Sequence, residues 1–133
     1  MRFLSEPSSP RDDSRVWRSF ENGETLGTRG SEDGLILLDD EHAQGARITL
    51  ESEIRFGSAS PARMYYAITC GIYGLFFHTR FFTREDEGRD AFAEMKLELA
   101  RILALAASET ASEEEARHVV LASISDFVER FPT

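Results

Sequence analysis

The spacing of the apolar residues changes once along this chain, at Phe82, and that change limits what the chain can fold into. Before Phe82 the clearest pattern, over Ala46 to Phe56, sets apolar side chains at every second residue, the period of a strand. After it they recur at three and four, the spacing of one helix face. Strands grouped first and helices last exclude the strand–helix alternation of a parallel α/β sheet. The expected fold is α+β: an antiparallel sheet of four or five strands followed by two C-terminal helices packed on one face.

The alternation is clearest from Ala46 to Phe56. Ala46, Ile48, Leu50, Ile54 and Phe56 share one side with Ser52, while Arg47, Thr49, Glu51, Glu53 and Arg55 share the other. One face is therefore expected to be buried and one wet. The shorter run Leu35-Ile36-Leu37-Leu38 precedes it across a polar stretch, Asp39 to Gly45, which is too short for a parallel crossover and so implies an antiparallel pair. A second hairpin runs from Arg63 to Phe82, with its turn expected within Cys70 to Gly74. Its phenylalanines at 76, 77, 81 and 82 fall in both registers of the alternation. Upstream, Arg15 to Phe20 is a short apolar cluster read as a strand, and the glycines at 27, 30 and 34 mark a connection. Residues 1–14, rich in Ser, Pro and Asp, offer little apolar surface and are expected to form a flexible arm ahead of one domain over 15–133.

Thr83 and Asp86 have the spacing of a capping box, predicting a helix whose face is Phe92, Met95, Leu99, Ile102, Leu103 and Ala106. Ser112 and Glu115 form a better box for a second helix reaching about Arg130, with Ala116, Val119, Val120, Ile124, Phe127, Val128 and Phe131 on one face and Pro132 as its stop.

The net charge of −9 argues against phosphate-backbone partners, and twelve carboxylates against six basic side chains from Arg84 onward place much of that acidity in the helices. No basic cluster is interleaved with aromatics, so neither nucleic acid nor an anionic membrane surface is an expected partner. No apolar run is long enough to span a bilayer, and the first residues lack an apolar signal core. With one cysteine and hence no internal disulfide, a cytoplasmic setting is expected.

Candidate chemistry is sparse. Cys70 and His78 could face each other across the hairpin as nucleophile and base, but they form no motif, and Cys70 is read as a small core residue. His42 follows Asp39, Asp40 and Glu41 without the ligand spacing of a metal site, which suits a solvated turn. No catalytic residue, cofactor or metal is assigned. Two helices cover one face of such a sheet, leaving the other open. Polar His78 and Arg80 suggest that Phe76, His78, Arg80 and Phe82 lie on that open face with Arg47 and Glu51, unless Trp17 and Phe20 fold over it. Arg47, Glu51, Phe76, His78 and Arg80 are accordingly the ligand or interface candidates. The expected role is protein–protein contact, as a homodimer through the excess apolar surface of the sheet or first helix or with another protein. The alternative is a small-molecule-binding protein or enzyme using the open face.

Overall fold

The computed structural model describes residues 16–55, 64–107 and 112–133. The strands β1 (Trp17–Ser19), β2 (Leu35–His42), β3 (Ala46–Arg55), β4 (Met64–Ile72) and β5 (Phe76–Phe82) form an antiparallel meander, each paired with the next in chain order. Helices α1 (Glu85–Ala106) and α2 (Glu113–Arg130) follow and pack on one face of it. The order of strands and helices is the one implied by the change of apolar period at Phe82. The arm expected over 1–14 lies outside the described residues.

Residues 46–50 of β3 and the strands β4 and β5 point their even-numbered side chains toward the helices. Ala46, Ile48 and Leu50 of β3, with Ile68, Cys70 and Ile72 of β4, are buried against Phe92, Met95, Leu99 and Ile102 of α1. β4 and β5 pair in register, so Cys70 stands beside His78 and Ile68 beside Arg80. Phe76, His78, Arg80 and Phe82 therefore lie on the helix-covered face, contrary to their expected place on the open one. Grouping by polarity misled because the core needs the rings of Phe76 and Phe82 and can accommodate the two polar groups between them. His78 Nε2–H donates to the Phe131 carbonyl, and the Arg80 guanidinium lies 4.8 Å from the Phe82 ring and 5.6 Å from that of Phe131.

Local departures from the expected pattern have identifiable causes. β2 extends through Asp39 to His42 because each polar residue finds a partner: Asp39 with Arg47, Asp40 with Lys96 at 2.9 Å, and Glu41 with the Tyr73 hydroxyl at 2.7 Å. His42 is buried edge-on to Trp17, their ring centroids 4.9 Å apart, rather than in a solvated turn. β3 carries an irregularity between the pairs Glu51–Ala67 and Ile54–Tyr65, with Glu53 at φ 59°. This bulge turns Ile54 to the face opposite Ile48 and Leu50. The β4–β5 turn is Tyr73-Gly74-Leu75, Gly74 having φ 79°.

At the start of α1, Arg84 is the cap and makes no side-chain capping bond. Its guanidinium instead grips Asp86 (2.7 and 3.0 Å), so the Thr83–Asp86 box does not form. Ser112 does cap α2, Glu115 N–H donating to Ser112 Oγ at 3.1 Å and that hydroxyl donating to Glu115 Oε1 at 3.1 Å. Val120, Phe127 and Phe131 are buried, whereas Ala106, Val119 and Val128, expected on the buried helix faces, are exposed. Phe127 packs on Phe76 and Phe131, with centroids 5.6 and 5.0 Å away. Denaturant unfolding of Phe127→Ala is expected to show a loss of about 3–5 kcal/mol; under about 1 kcal/mol would place α2 outside the core.

Candidate functional site

The sheet face away from the helices is ordered in cross-strand rows. Glu41, Arg47, Gly71 and Phe77 form one row; Asp39, Thr49, Thr69 and Thr79 form the next; Glu51, Ala67 and Phe81 form a third. Its middle is a line of hydroxyls flanked by an arginine and aromatic rings. Arg47 and Glu51 lie on this face, whereas the other three candidates, Phe76, His78 and Arg80, lie on the opposite one.

The chain between β1 and β2, residues 20–34, runs over this face as a strap. It enters through a tight turn at Phe20–Gly23, where Glu21, Asn22 and Gly23 have φ of 48°, 59° and 83°. It then folds back along β2, with Gly27 N–H donating to the Ile36 carbonyl at 2.8 Å and Ile36 N–H to the Thr28 carbonyl at 2.9 Å. Phe20 lies over the open face, its ring centroid 3.6 Å from the Arg47 guanidinium carbon. Trp17 lies on the helix side beside His42, so only one of the two aromatics expected as a cover serves as one.

Two polar anchors hold the strap. Arg47 binds Asp39 through Nε at 2.9 Å and Nη2 at 2.7 Å, and the Thr25 hydroxyl donates to Asp39 Oδ2 at 2.7 Å. Asp39 is buried, so this bidentate pairing and the hydroxyl compensate its desolvation. The second anchor is Glu51, which is fully buried and accepts from Gly34 N–H at 3.0 Å and Glu32 N–H at 3.2 Å. A Cβ at Gly30 would collide with the Glu51 carboxyl, and one at Gly34 with the Ser52 carbonyl and Ile54. Those two glycines allow the strap to come this close.

Between strap and sheet lies a groove of about 510 Å³. Arg47, Thr49, Thr69 and Gly71 supply its floor, Thr25, Thr28 and Ser31 its roof, and Tyr73 and Phe77 one end. Thr49 Oγ1 donates to the Thr69 carbonyl at 3.3 Å, while Thr69 Oγ1 is enclosed without a hydrogen-bond partner among the described residues. Phe77 is 78% exposed and leans over Gly71, which has no side chain to fill the floor beneath it. The roof hydroxyls were not candidates on sequence grounds. The available signal was the spacing of glycines at 27, 30 and 34, which marked the connection but not what it covers.

Cys70 and His78 are cross-strand partners, so the hairpin does bring them together, but in the core beneath the helices. Burial pushes the Cys70 thiol up to about 12, leaving it protonated and non-nucleophilic at neutral pH. No cluster of three or more His, Cys, Asp or Glu side chains suited to a metal ion occurs among the described residues, and no helix among them is long and apolar enough to cross a membrane.

Burial also lifts the Glu51 carboxyl above its ordinary 4.5, against the opposing pull of the Gly34 and Glu32 amides. The folded state thus holds this proton to higher pH than the unfolded chain. The group's stabilising contribution is full below 4.5 and is lost as pH rises through the raised value. Melting temperatures of wild type and Glu51→Gln measured across that window should diverge, the wild type losing more stability as pH rises; parallel curves would show that Glu51 titrates normally.

No protein-family model matches this chain, and neither a curated protein nor a solved structure shows significant similarity to it.

Proposed function

We propose that this chain is a non-catalytic binding protein that takes an uncharged, largely apolar small molecule into the groove beneath the strap. The observation that carries this reading is the groove of about 510 Å³ between strap and sheet, floored by Arg47, Thr49, Thr69 and Gly71 and roofed by Thr25, Thr28 and Ser31. Grooves of this size hold small organic ligands, and a few fixed polar groups in a mainly apolar lining orient them. The charges nearby are already matched, Arg47 by Asp39 and Glu51 by backbone amides, which favours a neutral ligand over an ion. The exposed Phe77 ring offers a stacking surface at one end, and the hydroxyls of Thr25, Thr28, Ser31 and Thr49 can meet a hydrogen-bonding edge.

A binding role is favoured over an enzymatic one because the groove brings no activated nucleophile and base together. The thiol and imidazole lie on the other side of the sheet, and the carboxylates of Asp39 and Glu51 already accept from fixed donors. Indole, a neutral planar probe with one N–H donor, tests the reading. Titrated to millimolar concentration, it should shift the amide resonances of Thr28, Ser31, Thr49, Thr69 and Phe77. Thr69→Phe, which fills the floor, should abolish those shifts while the protein stays folded. Shifts confined to the helices, or undiminished in Thr69→Phe, would refute the groove as the site.

A further inference from the structure

Among the described residues β5 has one strand neighbour, β4, and forms an edge of the sheet. Edge strands are usually protected from pairing with another chain by shortness, a bulge, a proline, charged side chains or a covering segment. β1, at the other edge, is three residues long. β5 runs for seven residues, pairs with β4 without a register shift and contains no proline, and its one charged side chain, Arg80, is turned onto the Phe82 and Phe131 rings rather than along the strand's outer edge.

Its sequence, Phe76-Phe77-His78-Thr79-Arg80-Phe81-Phe82, is close to a palindrome about Thr79, with paired phenylalanines at both ends and a basic or imidazole side chain on each side of the centre. An antiparallel strand paired with its own copy about a two-fold axis matches residues equidistant from that axis. Centred on Thr79, this register sets Phe77 opposite Phe81 of the second copy and Phe76 opposite Phe82 of the second copy. Aromatic cross-strand pairs are among the stabilising ones.

The backbone permits the same register. Tyr73 N–H donates to the Gly45 carbonyl at 2.8 Å, so odd-numbered residues continuing along β4 bond toward β3 and even-numbered ones toward β5. Even-numbered residues of β5 accordingly bond back to β4, and Thr79 directs its N–H and C=O outward. A register centred on Thr79 therefore falls on a hydrogen-bonded pair.

The helix layer supplies an independent observation. α2 reaches β5 through Phe127, while Arg130 turns toward α1, meeting Glu94 at 3.0 Å and Glu98 at 3.3 Å. At about 3.6 residues per turn, Leu121 and Val128 occupy the opposite flank, away from α1. They are 53% and 38% exposed, on the side where a second copy joined at β5 would lie.

We infer that β5 pairs with β5 of a second copy of this chain, two-fold about Thr79, making one continuous sheet and bringing the two α2 flanks toward each other. The second copy then places a phenylalanine beside the exposed side of Phe77.

Sedimentation of the full chain at about 10 µM should show a dimer. Thr79→Pro, which removes an outward N–H and leaves the β4 ladder intact, and Phe77→Asp should each weaken association at least about tenfold, with circular dichroism unchanged. Mild oxidation of Thr79→Cys should give a covalent dimer, because a residue on the axis meets its own copy within disulfide reach, whereas Thr28→Cys should not. The inference is overturned if the wild type is monomeric at about 100 µM, or if folded Thr79→Pro still dimerises. Should Thr79→Pro fail to fold, the Thr79→Cys cross-link decides, and its absence counts against the pairing.

Discussion

A buried carboxylate must find donors, and in this fold that requirement shapes the face opposite the helices. Glu51 lies on β3, whose other side is occupied by Ile48 and Leu50 beneath α1, so the strand is covered on both faces. Water cannot solvate the carboxylate there, and backbone amides of the strap do so instead. Their approach depends on Gly30 and Gly34, and Asp33 between them adopts φ 68°. Once the strap is seated, Thr28 and Ser31 are carried over the sheet, and the groove follows from the way that charge is satisfied.

Four basic side chains among the described residues pack against aromatic rings. Arg47 stacks on Phe20, Arg80 lies near Phe82 and Phe131, Arg130 lies near Phe131, and Lys96 lies 5.2 Å from the Trp17 ring. Several are also tied to carboxylates, such as Arg47 to Asp39 and Lys96 to Asp40.

The architecture was legible because periodicity reports which side of an element meets the helices, and it did so for Ala46 to Leu50 of β3, for α1 and for the centre of α2, although the other side of β3, expected to be wet, is also covered at Thr49 and Glu51. Periodicity failed where a long-range partner changed the local balance. Nothing near Glu53 in the sequence announces a bulge, so Ile54 could not be seen to change faces. The placement of β5 depended on its register with β4, and polarity alone gave the wrong face because Phe131, fifty-three residues from His78, supplies the carbonyl that pairs with it. Of the candidate site residues, Arg47 and Glu51 were recognisable as polar positions on a strand with one apolar side. The groove's roof was not, because it comes from a connection whose path is set by Glu51 and Asp39 rather than by its own apolar pattern.

The seclusion of Cys70 bears on where such a chain can exist. A free cysteine is commonly taken as a sign of a reducing compartment, since an accessible thiol elsewhere would be drawn into mixed disulfides. Here the sulfur is enclosed by the helix layer, and its thiol is held at about 12, so almost none is present as the reactive thiolate at any pH a cell maintains. The folded protein is thereby insulated from the redox poise of its surroundings, and its cysteine count carries no information about cellular address.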